Sequence, residues 1–250
     1  MAEQNIQGVI NALEEIVTNS KNGRKAWFAA VYLHMTKAVA KGISEGYFED
    51  AARMEKLDVN FANRYLDAMQ SSADNKPASR CWQKSFDAAE TNSYVVLQHI
   101  LLGMNAHINY DLALAAAATS PGEDIHHLAS DFRKINDLIA TLAGDIQERL
   151  SKLWWPLRML SKLTKGKEQA VLNFSVLKAR EASWASAVAL AGITHKPYDD
   201  YCETLDIAVA EIGRRILTPD WMTRVILAPV RWLEEKSVEK ITAILKENPS

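Results

Sequence analysis

Residues 94–118 read YVVLQHILLGMNAHINYDLALAAAA. The stretch is apolar on almost every side of a 3.6-residue period, which makes it a helix that other helices must surround. Burying its histidine, asparagine and aspartate side chains is costly unless each is hydrogen-bonded, paired with charge or bound to metal. At about 100° per residue, with His99 at zero, Gly103, His107 and Asp111 fall near roughly 40°, 80° and 120° and form one polar seam. Asn105 and Asn109, near about 240° and 280°, form a second seam on the other side. His107 and Asp111 are four apart, so their side chains stack on one face. Gly103 inside a helix costs roughly 1 kcal/mol relative to alanine, and close approach by another backbone or a ligand would account for it.

The rest of the chain supplies the surrounding helices. Its 250 residues are 48% hydrophobic, enough for a sizeable core, and its 7 prolines and 10 glycines are scattered. Ala, Leu, Glu and Lys are abundant and strand-like alternation is scarce, so the fold class is all-α. The net charge of −2 gives no general reason to expect nucleic acid as a partner. Two cysteines, Cys81 and Cys202, make no disulfide framework; MAEQNIQGVINALEEIV lacks the basic start and apolar block of a signal peptide, and no membrane span is expected. The expected setting is the cytoplasm.

Working outward, the periodicity predicts helices over about 3–18, 25–44 and 79–89. The stretch GYFEDAARMEKLD reads as a connection with a brief helix, and Asp58 as the cap of the next helix, VNFANRYLDAMQ. Thr91, Asn92 or Ser93 is placed to cap the central helix, and TSPGED at 119–124 stops it. Further helices are expected over about 124–150, 168–192 and 199–217, with a last segment to about 246 interrupted near Pro229. The loops are short, so the expectation is one domain, 1–250, of about eight to ten helices around the 94–118 helix.

A repeated spacing carries the chemistry. His107 and Asp111 are four apart on the central helix, and His127 and Asp131 are four apart on the next. A helical hairpin that brought the pairs face to face would make a site for Zn²⁺, Mn²⁺ or Fe²⁺, with His99 as a fifth ligand or supporting partner. A single H-x-x-x-D pair is more often a plain hydrogen bond, and two pairs on adjacent helices strengthen the case for a site. Asn105 and Asn109 are candidates to hold a substrate carbonyl, although buried asparagines more often clamp a neighbouring helix. Arg180 and Trp184, also four apart, are candidate substrate contacts, the plainer reading being an Arg–Trp stack. Tyr32 is a further candidate substrate contact; with Tyr65 and Trp82 it otherwise reads as a core aromatic whose polar atom is satisfied locally. KLWWPLRMLSKLTKGK at 152–167 has the composition of a membrane-surface helix, with a solvated lid as the blander reading.

The segment LLGMNAHINYDLALA resembles a bacterial family known only as a domain of unknown function, whose members share a G-[MV]-N-A-H-I-N-x-D-L motif. Similarity extends upstream to YFEDAARMEKLDVNFANRYLDAM and downstream to DFRKIN, covering roughly 25–140. The resemblance implies that Asn105, His107, Asn109, Asp111, Asp131 and Asn136 belong to one unit. It supplies no activity.

These readings lead to an expected small-molecule enzyme, hydrolase- or lyase-like and dependent on a divalent metal held by His107, Asp111, His127, Asp131 and His99. The alternative keeps His107–Asp111 as a metal-independent acid/base pair in a lyase, isomerase or cyclase of secondary metabolism. A third reading is a non-catalytic helical scaffold.

Overall fold

A computed structural model of the chain describes residues 2–139, 167–219, 221 and 232–247. Among these, every regular element is helical. Helix α1 spans Ile6–Thr18; its first turn is capped by Asn5, whose Oδ1 accepts the Gly8 N–H at 2.8 Å, and it buries Val9, Ile10, Leu13 and Val17. Helix α2, Lys25–Ser44, is buried through its whole first half, from Ala26 to His34.

Helix α3 runs unbroken from Ala51 to Ala73. Its cap is Asp50, whose Oδ1 accepts the Arg53 N–H at 2.9 Å. The expected break at Asp58 is therefore wrong: A-A-R-M-E-K-L favours helix throughout, and Asp58 lies buried in mid-helix. Helix α4 spans Arg80–Ala89 and takes its cap from far along the chain: Asp206 accepts the N–H groups of Arg80 at 2.7 Å and Cys81 at 2.9 Å.

The central stretch is one rod with a widened turn. Helix α5, Val96–Ala106, leads into a π turn, His107–Asp111, and then into α6, Leu112–Thr119. In the π turn the Leu112 N–H reaches back five residues to the His107 carbonyl. None of Thr91, Asn92 and Ser93 caps this rod, since Tyr94 and Val95 separate them from its first turn. Gln98 Oε1 accepts the Val95 N–H at 3.2 Å, and the Glu234 carboxylate accepts the Val96 N–H at 3.1 Å. After the stop at TSPGED the chain forms a 3₁₀ turn, Gly122–Leu128, before helix α7 begins at 129 and is described to 139. Helices α8 (Lys167–Ala191), α9 (Lys196–Leu217) and α10 (Val238–Lys246) follow among the described residues. The tryptophan-rich 152–166 segment and the expected interruption near Pro229 lie outside the described residues.

Helices α2, α4 and α9 pack around α5, while α3 and α8 pack around α6. The π turn sits where α3, α8 and α9 meet the rod. The core links distant parts of the chain, with Val9 and Leu13 in the same apolar cluster as Val209, Ile241 and Leu245. No helix among the described residues is long and apolar enough to cross a membrane.

At Gly103, α5 packs tightly against Phe28 of α2. A Cβ there would lie 2.4 Å from Cγ and 2.7 Å from Cβ of Phe28. A side chain, rather than a backbone or ligand, thus accounts for the glycine. Gly213 is far less restrictive, its nearest atom being Cδ of the flexible Lys84 at 3.3 Å. Gly103→Ala is expected to cost about 1–3 kcal/mol by overpacking. Gly213→Ala should be near neutral or mildly stabilising through better helix propensity. Urea denaturation of the two variants against wild type measures the difference.

Candidate active site

The π turn projects His107 and Asp111 into the interior, where each is 2% exposed. Nδ1 of His107 lies 2.9 Å from Oδ2 of Asp111. The same oxygen accepts the indole N–H of Trp82, from α4, at 2.8 Å. An oxygen that already accepts one N–H is matched by a second, so we assign the imidazole proton to Nδ1, leaving the Nε2 lone pair free. Burial depresses the affinity of His107 for a second proton, and Asp111 partly opposes that shift. The ring is thus held neutral and oriented, as a general base requires.

Five aromatic rings enclose His107. Phe61, from α3, stacks on it with centroids 3.6 Å apart and planes at 9°. Tyr32 meets it edge-on at 4.4 Å, and Phe28 at 5.5 Å, both from α2. Tyr65 and Trp82 complete the box at 6.0 Å and 6.1 Å. Of the five, Phe61 is the one that is only half-buried.

Several polar atoms around this box have no hydrogen-bond partner: Nε2 of His107, the hydroxyls of Tyr32 and Tyr65, and Oδ2 of Asp58. Asp58 precedes Phe61 by one turn and Tyr65 by two, so the three share a face of α3. Burial, and then the nearby charge of Glu55, pushes the Asp58 carboxyl up to about 7. Burial raises the Tyr32 phenol well above its ordinary range, and the charge of Asp58 is the next cause. Burial alone raises Tyr65. A buried donor or acceptor without a partner costs about 1–3 kcal/mol. Such atoms, gathered from three elements around one imidazole, mark a place built for a polar guest or an ordered water.

The other expected site residues lie elsewhere. Asn105 donates to the Val209 carbonyl at 2.9 Å and accepts from Asn109 at 3.0 Å. Asn105 therefore ties the rod to α9, and half-buried Asn109 braces Asn105 from the next turn. Asp131 is fully buried, and its two oxygens accept the backbone N–H groups of Glu49 at 2.8 Å and Asp50 at 3.0 Å. His127 is exposed on the 3₁₀ turn. The two H-x-x-x-D pairs thus do not converge, because the 3₁₀ turn re-aims the chain before α7 begins. Among the described residues, no three His, Cys, Asp or Glu side chains are grouped to hold a metal ion.

His99 is also apart from His107, about 12 Å along the rod by helical rise. It packs edge-on against Trp27 at 5.2 Å with both ring nitrogens unpaired. Burial, and then the charge of Arg24, holds its pKa down at about 4.

Arg180 is buried and donates to Asn136 Oδ1 at 2.7 Å and to the Phe132 carbonyl at 2.6 Å. Its guanidinium lies 4.4 Å from the centroid of the Phe132 ring, against which Trp184 also packs at 4.8 Å. Arg180 and Trp184 therefore fasten α8 to α7 through Phe132 and do not stack on each other. The six motif residues fall into four separate structures: His107 with Asp111, Asn105 with Asn109, Asp131 with the Glu49 and Asp50 backbone, and Asn136 with Arg180. Of the tyrosines expected to be satisfied locally, neither Tyr32 nor Tyr65 is; Trp82 is, through Asp111. Sequence reading missed Asp58, Phe61 and Tyr65 as site residues, although their spacing of three and four on α3 is the available signal.

The model of a family of unknown function, DUF5995, matches residues 6–219, well beyond the 25–140 span of the motif resemblance. No curated protein and no solved structure matches the chain.

The Asp58 shift makes stability depend on pH. Below the unfolded carboxyl's ordinary value near 3.8 both states hold the proton; between there and about 7 the unfolded state loses it first. Stability contributed by this group therefore falls as pH rises from about 4 to 7 and levels off above. Asp58→Asn should remove that slope and stabilise the protein at pH 7, read from urea midpoints across the range.

Proposed function

Since the chain belongs to DUF5995, a family of unknown function, we propose from the site's own chemistry that the protein is an acid/base enzyme for small, uncharged, largely apolar molecules bearing a carbonyl. One observation carries the reading: an imidazole oriented by a carboxylate keeps a free Nε2 inside an aromatic box whose other polar atoms are also unpartnered. The metal-independent alternative is thus the one the geometry favours.

In this scheme Nε2 of His107 takes a proton from the carbon beside the carbonyl, and Asp111 stabilises the imidazolium that forms. Asp58, whose carboxyl burial pushes up to about 7, gives its proton to the carbonyl oxygen in the molecules that carry it, and the unpartnered hydroxyls of Tyr32 and Tyr65 hydrogen-bond that oxygen. Return of the imidazolium proton to the same carbon, and of the enol proton to Asp58, gives exchange or epimerisation; in a β,γ-unsaturated carbonyl, delivery to the γ-carbon of the dienol shifts the double bond, and both groups are restored. The box favours uncharged substrates because an ion would shed its hydration among aromatic rings. Phe61, half-buried and stacked on the base, is the wall nearest solvent and the route of entry. A reducing cytoplasm suits the two free thiols, Cys81 and Cys202.

Deuterium exchange at the carbons beside the carbonyl of cyclohexanone in D₂O, followed by proton NMR, tests the scheme. Wild type should accelerate exchange over buffer, with or without EDTA. His107→Gln should return it to the buffer rate, and Asp111→Asn should slow it about 10²–10⁴-fold. Wild-type exchange no faster than buffer, or unchanged in folded His107→Gln, sinks the reading.

A further inference from the structure

A cleft away from the aromatic box includes His127 in its lining. It measures about 450 Å³ and opens between the first turns of α3, the end of α6 and the 3₁₀ turn, lined by Asp50, Arg53, Lys56, Ser120, Asp124 and His127 among others. Its cations are incompletely used. The Lys56 ammonium donates to the Thr119 carbonyl at 3.0 Å, and no carboxylate among the described residues lies within ion-pair range of it. The Arg53 guanidinium lies 3.5 Å from Asp50 and 3.8 Å from Asp131, long for hydrogen bonds, and its Nε is buried with no partner. Ser120 is only 3% exposed and lines the cleft, and its hydroxyl makes no hydrogen bond among the described residues.

The acidic lining residues differ in their engagement. Asp50 is occupied, one oxygen capping the Arg53 N–H and the other facing the Arg53 guanidinium. Asp124 is exposed. What the cleft presents is therefore an ammonium, a guanidinium, a hydroxyl and an imidazole, all with donors to spare. These are the groups that recognise a small oxyanion, with arginine suited to its geometry and lysine acting as a point charge.

We propose that this cleft is a binding site for a small oxyanion, a phosphate or carboxylate group, held by Lys56, Arg53, Ser120 and His127. Asp50 and Asp131 position Arg53, and the Asp131 carboxylate ties α7 to the start of α3, which forms one wall. The two lining carboxylates keep the binding modest, in the millimolar range. The site is independent of the His107 chemistry, so either can stand without the other.

Titration of ¹⁵N-labelled protein with inorganic phosphate, and separately with acetate, at constant ionic strength set by chloride tests it. Saturable shifts confined to the amides of 52–56 and 119–127 and to the His127 ring are expected. Lys56→Met should weaken the response about tenfold or more, as loss of a hydrogen bond to a charged group does. His127→Gln, at an exposed position where folding is not at risk, should weaken it less. A response to phosphate alone identifies a phosphoryl ligand, and an equal response to acetate a carboxylate. Absence of saturable shifts with either anion, or an equal response in wild type and in both variants, overturns the proposal.

Discussion

One carboxylate oxygen holds the interior together. Oδ2 of Asp111 accepts the Trp82 indole N–H and the His107 imidazole N–H, joining α4 to the π turn in the middle of the rod. Without those two donors Asp111 would be a buried charge with no compensation, at a cost of several kcal/mol. With them it fixes the rotamer of His107, and the aromatic box can close on a ring of defined orientation. The π turn belongs to the same arrangement. Wider turns of this kind are frequent at functional sites.

Around this centre the protein accommodates two opposed kinds of burial. The apolar contribution is ordinary: Phe28, Tyr32, Phe61, Tyr65 and Trp82 bring large surfaces into contact and offset the entropy of ordering them. The polar contribution is not. Nε2 of His107, two phenols and the Asp58 carboxyl are taken from water without replacement partners, and a core selected for stability alone would carry phenylalanine or leucine at those places. By contrast, Asn105, Asp131 and Arg180 are buried with their donors and acceptors used, and each fastens one helix to another. The spent groups build the scaffold, and the unspent ones gather around His107, with the His99 imidazole beside Trp27 a separate unspent group.

The same distinction explains what could be read in the chain and what could not. The 94–118 rod was legible because an apolar surface on all sides has only one use in a helical protein. The His107–Asp111 contact was legible too, since a spacing of four fixes neighbours whatever else the fold does. The His127–Asp131 pair has the same spacing and a different outcome: His127 falls within the 3₁₀ turn and Asp131 just past the start of α7, where it serves backbone N–H groups instead of a histidine. Asp58 was taken for a cap because aspartate before an apolar run usually is one. Its real setting depends on α3 starting about two turns earlier, with Asp50 as its cap.

The sequence by itself determined the helical class, the buried rod, the His107–Asp111 pair and the tight spot at Gly103, because periodicity and the cost of burying polar groups act over a few residues. Tertiary structure decided which of the buried polar groups are satisfied. The partners of Asp111, Asn105, Asp131 and Arg180 include groups 29, 104, 81 and 44 positions away, and a hydrogen bond of that span is set by how helices pack, which no local pattern records.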